Sequence, residues 1–486
     1  MNPINMRVAI ILLLLIPFTG TSQHTIHWES EVVVCEGTIY GNLRPRLVLT
    51  ADNTPLVVFS KGSTGKVFSA RWTGSGFATP TDLLPNGESA YVATWTGPDV
   101  AAEGDTVVVV YKQNDLENGH VYTIRSTDGG ITFSDTIRTD SHLAGVAWLP
   151  SLEMDENGNP SVIYMAHDPI WVHPRYFVTH SLDQGLTYQP EMDIASSIPN
   201  EACDCCPAEY VIEGNQHALL FRNNASNIRD IYAIYSADDG VSYSGYTNVD
   251  QLNWNITSCP STGPDGIFNN SDLYTVFASR ASGNYRVYIS SSSTSSGINF
   301  QSRTMMEPPV NVTGSQNFPR IDGSNDTIVM IWQESETSNS EIYASVTTSA
   351  DVNELVSSKG MVNVSTAGAQ SNPDIAYADG FVHAVFQDAS TGNVIYRRGI
   401  IGVAGVSEQI PDPIDVYPNP NETGAYLLNG ITEVIGVFDV TGKAIDHELN
   451  TIDGQLMIEL MNSEKGIYYL LIANNANMES IKLIRL

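Results

Sequence analysis

The chain has 486 residues, which is too long for one small domain and long enough for a large buried core. It contains 54 acidic residues against 23 lysines and arginines, a formal charge of −31 at pH 7. Because so acidic a surface repels phosphate backbones, nucleic acid is excluded as an expected partner. The calcium-loop pattern D-x-[DN]-x-[DN]-G does not occur, and we expect no cofactor.

Residues 1–22 are predicted to be a secretory signal peptide. Arg7 precedes the apolar run 8–16, and the small residues Gly20 and Ser22 follow at the positions that cleavage requires. The run is too short to cross a bilayer, and no other apolar run in the sequence is long enough. We therefore expect an exported protein that begins near Gln23, has no membrane span after cleavage, and carries its cysteines into an oxidising compartment.

A proline phrase that recurs seven times organises residues 23–405. Each copy has an X-Pro step that leads into an apolar strand, such as 107–111 after the second copy. The prolines follow one another at 52 to 57 positions and are Pro45, Pro98, Pro150, Pro207, Pro264, Pro319 and Pro373. Continuous apolar strands are buried on both faces, and proline is tolerated at a strand's first residue. A repeat of about 55 residues with several strands per unit is typical of a β-propeller blade.

Between the proline phrases, a second motif reads Ser-x-Asp-x-Gly-x-Ser/Thr and ends on an aromatic residue. Its three full copies, 55 residues apart, comprise Ser126, Asp128, Gly130 and Phe133; Ser181, Asp183, Gly185 and Tyr188; and Ser236, Asp238, Gly240 and Tyr243. A degraded copy follows at 293–300. We expect the Asp to accept hydrogen bonds from backbone N–H groups in a tight turn where Gly takes positive φ. This motif, the Asp box, resembles that of the sialidase-like (BNR-repeat) propellers, and the resemblance implies that the boxes lie away from the catalytic mouth.

The number of proline phrases favours seven blades, and six, the usual number in sialidases, is the alternative. The seventh unit ends soon after 394–398 without an obvious fourth strand. We expect the segment from His24 to Val34, which is rich in alternating β-formers, to supply that strand and close the ring. The predicted fold is therefore all-β, a propeller followed by a small C-terminal β-sandwich.

The chain changes character at a proline-containing linker, 406–414, which precedes a final domain at 415–486. Consecutive X-Pro steps enforce an extended linker, and short strands joined by Asn and Gly turns predict the β-sandwich. Four blocks of the final domain resemble, in order, the type A C-terminal sorting domain of the type IX secretion system of Bacteroidota; they are 416–420, 436–443, 465–471 and 481–484. The resemblance implies export by that machinery, removal of the tail, and release or attachment at the cell surface. An ordinary accessory β-domain is the alternative.

Four of the five cysteines gather around the fourth repeat. Cys203, Cys205 and Cys206 open it, and Cys259 precedes the next proline phrase, so adjacent inner strands bring Cys259 within reach of the triplet. Two interpretations stay open, namely disulfides that tie a loop to the next blade, or thiolates that hold a soft metal such as copper or zinc. Disulfides are favoured because the C-x-C-C spacing differs from that of zinc ribbons, but their pairing is left open. The segment resembles a secreted branch of sialidase-like proteins that share C-x-C-C-P and a later Trp…Cys-Pro…Gly-Pro segment.

Charged residues follow the proline in five of the seven phrases, at the start of otherwise apolar strands. Propeller ligands bind where the inner strands begin and the loops converge on the axis, so a ligand-binding mouth is predicted there. Its candidate residues are Arg44, Arg46, Asp99, Asp265, Arg320 and Asp374. Mutual Arg–Asp bridging that seals the channel is the alternative.

A sialidase of the resembled family needs three arginines around the substrate carboxylate, a Tyr–Glu nucleophile and an Asp acid/base. The Phe-Arg-Ile-Pro motif of that family is absent, and 43–46 shifts the arginine relative to the proline. Glu209 is the best carboxylate, and Tyr210 beside it is predicted to point to the opposite face. The catalytic candidates are Glu209, Arg46, Arg222, Arg229 and Arg320. Whether the chain is an enzyme, sialidase-like or lyase-like, stays open.

A long loop of the third repeat, 166–175, contains His167, Trp171, His173 and Arg175. An exposed Trp can stack on a sugar ring and paired histidines can bind a metal, whereas packing over the blade edge is the alternative.

Two functions follow from the sequence. One is a secreted protein that binds or processes extracellular glycans; the other is a non-catalytic surface propeller that recognises protein or matrix and uses its cysteines as structural disulfides.

Overall fold

The structure is a computed structural model that describes residues 24–140, 145–168, 170–306, 314–335, 339–403, 415–429, 433–452, 455–461, 463–474 and 477–486. The predicted signal peptide (1–22) and linker (406–414) lie outside these residues. The chain divides into two compact units, Met1–Val403 and Ala404–Leu486. Within the described ranges, no helix is both long enough and apolar enough to cross a membrane.

The described part of the first unit folds into seven antiparallel sheets. Two strands precede them, β1 (His24–Trp28) and β2 (Val32–Cys35). Sheets one to three contain β3 (Leu43–Thr50), β4 (Thr54–Lys61), β5 (Lys66–Arg71) and β6 (Thr81–Asp82); β7 (Asp99–Glu103), β8 (Thr106–Lys112), β9 (Val121–Ser126) and β10 (Ile137–Arg138); and β11 (Val146–Met154), β12 (Pro160–His167), β13 (Arg175–His180) and β14 (Met192–Asp193).

Sheets four to seven continue this order along the chain. They contain β15 (Glu201–Ala202), β16 (Glu209–Glu213), β17 (Gln216–Asn224), β18 (Ile231–Ser236) and β19 (Tyr246–Asn248); β20 (Asp265–Asn269), β21 (Asp272–Ser279), β22 (Arg286–Ser293) and β23 (Arg303–Met305); β24 (Ser315–Ser324), β25 (Thr327–Ser335), β26 (Ser340–Thr347) and β27 (Gly360–Met361); and β28 (Gln370–Ala378), β29 (Phe381–Asp388) and β30 (Asn393–Val403). The short helices are α1 (Gly37–Tyr40) and α2 (Val352–Ser357), with a 3₁₀ turn at Ala51–Asn53.

The innermost strands of the sheets form a closed circle. In chain order, β3, β7, β11, β16, β20, β24 and β28 each contact the next, and β28 contacts β3. Each proline phrase lies in or directly before one of these strands. The sheets therefore surround a common axis, and the first unit is a β-propeller, as the sequence predicts.

The ring is closed by the N-terminal strands. β1 and β2 both pair antiparallel with β30, with His24 opposite Val403 and Val32 opposite Tyr396. Sheet seven is thus built from both ends of the first unit, as the alternating β-formers near the predicted mature terminus indicate. Hydrogen bonding between the two ends holds the propeller closed.

The core consists of apolar clusters between neighbouring sheets, rather than one central mass. The second strands are its main contributors, and Val107–Tyr111 of β8 are fully buried on both faces. Sheets seven and one pack through Leu47, Phe59 and Val385 in the same way as the other neighbours. The continuous apolar strands of the sequence follow from this burial on both sides.

The second unit is a β-sandwich of two four-stranded sheets among its described residues. One sheet has the order β31 (Asp415–Tyr417), β32 (Ala425–Asn429), β36 (Gln455–Leu460) and β35 (His447–Ile452). The other has the order β34 (Ala444–Ile445), β33 (Glu433–Asp439), β37 (Gly466–Asn474) and β38 (Asn477–Arg485). Tyr426, Ile458, Leu470 and Leu483 are buried between the sheets.

Candidate functional site

The antiparallel order of each propeller sheet separates two sets of loops. The innermost strands all begin on one side of the propeller, which we call the entrance face. Because neighbouring strands run in opposite directions, the loops between second and third strands and the connections between sheets also lie there. The turns between third and fourth strands lie on the opposite face, and these turns contain the Asp boxes.

The Asp boxes stabilise those turns by the hydrogen bonds that their sequence predicts. Asp183 accepts hydrogen bonds from the backbone N–H and the hydroxyl of Thr187, at 2.8 and 2.6 Å. The Ser181 hydroxyl donates to Asp183 at 2.8 Å and accepts from the N–H of Gly185, whose φ is +83°. The boxes at 126–133 and 236–243 repeat these contacts. The boxes are therefore elements of turn structure, remote from the entrance face.

Seven polar residues meet at the start of the innermost strands, and we call them the polar ring. They occupy the same register, each opposite an apolar residue of the second strand, and are Arg46, Asp99, Ser151, Glu209, Asp265, Arg320 and Asp374. In sheet four the position belongs to Glu209, one residue later than the Ala208 that directly follows the proline. The ring thus includes both the best catalytic carboxylate and most of the predicted mouth.

Arg320 lies at the centre of the ring's ion pairs. Its Nη1 is 2.8 Å from Glu209 Oε2 and 3.4 Å from Asp265 Oδ1, and its Nε is 2.9 Å from Asp374 Oδ1. Arg46 makes a longer pair, 3.6 Å from its Nε to Asp99 Oδ1. Burial of a charge is tolerated only with such partners, so the four carboxylates and two arginines hold one another in place.

Ser151 joins two carboxyl groups of the ring. Its hydroxyl oxygen lies 2.7 Å from Asp99 Oδ2 and 2.9 Å from Glu209 Oε1. A hydroxyl has one proton to donate, so both contacts are hydrogen bonds at once only when one carboxyl group is protonated. Burial raises the pKa of Glu209 to about 7, against the attraction of Arg320, whereas neighbouring arginines lower the pKa of Asp99 in spite of its burial. Of the two carboxyl groups, Glu209 is therefore the one that gains a proton as pH falls below about 7, and in that form it can donate to Ser151.

Backbone contacts complete the closure of the ring. Asp374 accepts a hydrogen bond from the N–H of Leu47, and Asp265 from that of Ile321, each at 2.8 Å. Arg44, a predicted mouth residue outside the ring, donates to the carbonyl oxygens of Gly97 and Pro98. These bonds tie β3 to both of its neighbours in the circle and β20 to β24. On the entrance side of the ring only about 40 Å³ of cavity remains, while about 390 Å³ lies beyond it, along the propeller axis.

Arg222 and Arg229 lie apart from the polar ring, beside the cysteines. Arg222 is fully buried and donates to the carbonyl oxygens of Thr262, Arg229 and Ala278. Its guanidinium also lies 5.1 Å from the ring centroid of Trp254. Arg229 donates to the carbonyl oxygen of Ile256 and, at 2.9 Å, to Cys203 Sγ. The structure thus brings Arg46, Arg320 and Glu209 together. Arg222 and Arg229 instead donate to backbone oxygens and, in the case of Arg229, to a cysteine sulfur.

Tyr210 does not face the polar ring. It is fully buried on the other side of β16, where its hydroxyl lies 2.9 Å from His217 Nδ1 and 2.5 Å from the hydroxyl of Tyr243. This is the opposite orientation to Glu209 that the alternation of the strand predicts. The Tyr–Glu pair of a sialidase nucleophile is therefore not formed by these neighbours.

The cysteines form a disulfide beside a pair of free thiols. Cys205 and Cys259 are bonded, and this bond joins the loop between β15 and β16 to the loop before sheet five. Cys203 and Cys206 are buried free thiols with their sulfurs 2.8 Å apart, and Cys203 Sγ lies 3.6 Å from Cys205 Sγ. Three sulfurs thus lie within 4.8 Å of one another. Binding of a metal ion by these sulfurs is disfavoured, because Cys205 is already bonded to Cys259 and the Arg229 guanidinium contacts Cys203.

The loop at 166–175 borders a second cavity on the entrance face, which we call the loop groove. It has a volume of about 450 Å³ and is lined by Gly145, Ala166, His167, Asp168, His173, Pro174, Arg175, Phe177 and Asn200. His167 is buried, and neither of its ring nitrogens reaches the surface of the groove. Burial lowers the pKa of His167, so its imidazole is neutral near pH 7.

An aromatic row of Tyr91, Trp95, Trp148 and Trp171 runs beside the loop groove. Buried Trp148 is its centre, with ring centroids 4.6 Å from Tyr91, 6.5 Å from Trp95 and 5.7 Å from Trp171. Trp171 is 38% exposed and lies 5.2 Å from the His167 ring. Trp171 is a candidate predicted from the sequence, whereas Tyr91, Trp95 and Trp148 are not. The signal available was the position of Trp95 and Trp148, two or three residues before a proline of the phrase.

The backbone holds Trp171 in an unusual conformation. Its φ is +61° and that of His173 is +56°, in the left-handed region that residues other than Gly rarely adopt. Asp168 fixes the loop, since its carboxylate accepts from the N–H groups of Ile170 and Val172 and lies 3.1 Å from His173 Nδ1. Strained residues persist only where the surroundings determine them, so the exposed Trp171 ring is presented in a set orientation.

Comparison with known proteins identifies the final domain. Residues 415–485 match the family model described as a secretion system C-terminal sorting domain. The chain is thus exported by type IX secretion to the cell surface or the extracellular space, and its sorting domain interacts with the secretion machinery. A comparison with curated proteins finds no match.

Solved structures with a similar chain path have low sequence identity to this protein. A protein of unknown function from Dyadobacter fermentans is 12% identical, with a TM-score of 0.44 over 63% of this chain and 94% of the other. The NanB sialidase from Streptococcus pneumoniae is 9% identical, with a TM-score of 0.41 over 60% and 64% of the two chains. The α-L-arabinofuranosidase Arb93A from Fusarium graminearum is 13% identical, with a TM-score of 0.40 over 63% and 92%.

Proposed function

We propose that the propeller is a secreted glycan-binding protein whose sugar-contacting surface is the aromatic row and the adjoining loop groove. The observation that supports this most is the partly exposed Trp171 ring beside a groove of about 450 Å³. A sugar ring packs its C–H face on an aromatic ring while its hydroxyl groups bond to polar neighbours, and ligand pockets typically measure roughly 300–1,000 Å³. Asp168, His173 and Asn200 are polar groups of the groove that can bond to sugar hydroxyls.

The conformation of the loop favours binding. Asp168 fixes the backbone around Trp171 before any ligand arrives, so little conformational entropy is lost when a sugar stacks on the ring. The groove also contains both signs of charge, since Asp168 and Arg175 both line it. Neutral hydroxyl groups are therefore better suited to it than a strongly charged ligand.

Hydrolysis at the polar ring is disfavoured by the same geometry. Glu209 is engaged with Arg320 and Ser151, and the cavity on its entrance side is about 40 Å³, far below the size of a sugar pocket. The cavity of about 390 Å³ that Glu209 also lines lies on the far side of the ring from the entrance face. The three-arginine clamp for a substrate carboxylate lacks Arg222 and Arg229, which hold backbone oxygens and sulfur. Binding without cleavage is thus the form of the glycan hypothesis that we propose.

The test is a binding screen of the full chain against neutral and acidic polysaccharides and a panel of sialosides, with product analysis in parallel. We expect binding without released sugar, and a dissociation constant at least ten-fold higher for Trp171→Ala. Tyr246→Ala is the matched control, because Tyr246 is an aromatic residue of similar exposure, 42%, on the outer strand of sheet four. Absence of any glycan ligand, or equal affinity of the Trp171 and Tyr246 variants, would contradict the proposal.

A second candidate function, recognition of a protein surface, is favoured by one observation. Ile170, Trp171 and Val172 are three consecutive exposed apolar residues, with Ile170 76% exposed. Such a tip can insert into an apolar depression of a partner protein. Ile170→Asp separates the two functions, because it abolishes binding of a protein partner while sugar stacking on Trp171 persists.

A further inference from the structure

The four cysteines on the entrance face form a continuous chain of sulfur atoms. It starts at the exposed Cys259, passes through its disulfide partner Cys205, continues over 3.6 Å to Cys203 and ends, after another 2.8 Å, at Cys206. These gaps are at or below the contact distance of two sulfur atoms, so neighbouring members are placed for thiol–disulfide exchange. The inner pair also has C-x-x-C spacing, with Asp204 and Cys205 between its members.

Burial limits how the inner pair can be oxidised or reduced. Cys203 and Cys206 have no exposed surface, whereas Cys259 is exposed. A dissolved thiol or disulfide therefore has no direct access to the inner pair. The sulfur chain is a route from solvent to the inner pair, with Cys205 as the atom through which exchange must pass.

The surroundings give the two inner thiols different roles. The guanidinium of Arg229 donates to Cys203 Sγ at 2.9 Å, and with Cys206 it lowers the pKa of Cys203 to about 7 against the effect of burial. Burial raises the pKa of Cys206 well above its usual value. The thiolate is the nucleophile in exchange, so Cys203 attacks first and Cys206 resolves the product.

We propose that these cysteines are a thiol–disulfide exchange site, in which Cys205 relays oxidation from solvent-exposed Cys259 to the buried Cys203–Cys206 pair. This activity is independent of the glycan binding proposed above. Its external co-reactant is a small-molecule disulfide, and its end state is a second disulfide, Cys203–Cys206. In that state the loop between β15 and β16 is cross-linked internally as well as to its neighbour.

The exchange balances without any group beyond the cysteines and the external disulfide. The Cys203 thiolate attacks Cys205 Sγ, which forms a Cys203–Cys205 bond, breaks the Cys205–Cys259 bond and leaves the electron pair on Cys259, which takes a proton from water. Cys206 then attacks Cys203 Sγ, and Cys205 departs with the electron pair and the proton of Cys206. The small-molecule disulfide reoxidises Cys205 and Cys259 and is itself reduced to two thiols.

The test follows oxidation of the reduced full chain by oxidised glutathione at pH 7. Samples are quenched with an alkylating reagent at intervals and mapped by mass spectrometry without reduction. We expect the Cys205–Cys259 bond to appear first and the Cys203–Cys206 bond second, while the separate, buried Cys35 stays a thiol. Cys205→Ser is expected to slow formation of the inner disulfide at least ten-fold.

Cys259→Ser is the matched control, because it removes the same cross-link but keeps the Cys205 sulfur. Its inner pair is expected to oxidise through a mixed disulfide of Cys205 with glutathione. Equal rates of inner-pair oxidation in the two variants overturn the relay, as does a wild-type inner pair that never oxidises. A metal ion bound stoichiometrically to Cys203 and Cys206 in the purified protein, detected by elemental mass spectrometry, also overturns it.

A second pair of variants keeps the proposal testable if Cys205→Ser does not fold. Arg229→Gln removes the charge beside Cys203, whereas Arg229→Lys keeps it. We expect Arg229→Gln to slow the exchange at least ten-fold at pH 7 and much less at pH 9, where thiols ionise without help. Arg229→Lys is expected to remain close to the wild type at both pH values. No rate loss in Arg229→Gln at pH 7 contradicts the role of Cys203 as nucleophile.

Discussion

The polar ring and the loop groove both lie towards the entrance face, but they satisfy their polar groups in opposite ways. In the ring, Arg320 contacts three carboxylates and Ser151 joins two carboxyl groups, so its buried charges lie against one another. In the groove, the side chains of His173 and Asp168 are 78% and 36% exposed, and Trp171 is partly exposed. Buried, paired charges stabilise the fold, whereas exposed polar groups beside open space are available to a ligand.

The largest expected effect is the loss of stability on removing Arg320. Arg320→Ala leaves Glu209, Asp265 and Asp374 buried without their cation, which costs about 3–5 kcal/mol of unfolding free energy. Arg175→Ala in the groove is the matched control, since Arg175 also contacts a carboxylate but is half exposed. Exposed pairs contribute about 0–1 kcal/mol. Urea unfolding of both variants at pH 7 measures the difference.

Equal loss of unfolding free energy in Arg320→Ala and Arg175→Ala would contradict this distinction. It would mean that the buried ion pairs of the ring stabilise the fold no more than the exposed pair of the groove. A stable Arg320→Ala protein that gains affinity for sugars would also contradict the distinction between ring and groove. It would mean that the polar ring is a sugar-binding site and that the Arg320 side chain blocks it. Glycan affinity of each folded variant should therefore be measured beside its stability.

The propeller was predictable from the sequence because its physical requirements recur in every repeat. The second strands must be apolar on both faces, and each Asp box must supply its own turn hydrogen bonds, so both leave local patterns such as Val107–Tyr111 and Ser181–Tyr188. Closure by β1 and β2 was predictable from the missing strand of the last repeat. The sorting domain was predictable from four local blocks.

The candidate site was less predictable because it depends on contacts between distant repeats. The charges of the ring residues were visible, yet whether Arg320 would bind a ligand or Glu209 depends on residues 111 positions apart. Arg222 and Arg229 were grouped with Arg320 by residue type alone, while folding places them against backbone oxygens and Cys203. Only the position of a side chain in space decides between pairing and availability.

A smaller effect is expected on the pH dependence of stability through Glu209. Burial raises its pKa to about 7 in the folded protein, above the usual 4.5, so the folded state binds this proton more tightly than the unfolded chain. The unfolding free energy therefore falls as pH rises from about 4.5 to about 7. Glu209→Gln cannot lose a proton, and its amide can donate to Ser151. Its stability relative to the wild type should rise between pH 5 and pH 8, on the order of 1–2 kcal/mol.

Buried histidines with lowered pKa values, such as His217 and His383, do not affect this comparison. Burial lowers the pKa of His217 and of His383 to about 4, so each adds stability that is lost as pH falls below about 6.5. Both residues are present in Glu209→Gln and in the wild type, and their effect cancels in the difference. A difference that stays constant from pH 5 to pH 8 would show that Glu209 is ionised throughout, and that Ser151 bonds to one carboxylate only.

The smallest expected effect on stability belongs to Trp171→Ala, which nevertheless has the largest expected effect on glycan binding. Trp171 is partly exposed and contacts Trp148 edge to face, so its removal costs about 1 kcal/mol or less of unfolding free energy. Thermal and urea unfolding of the variant check this value beside Arg320→Ala. A loss as large as that of Arg320→Ala would place Trp171 among the groups that hold the fold. The aromatic row would then belong with the polar ring, and Ile170 alone would remain as an exposed contact of the loop.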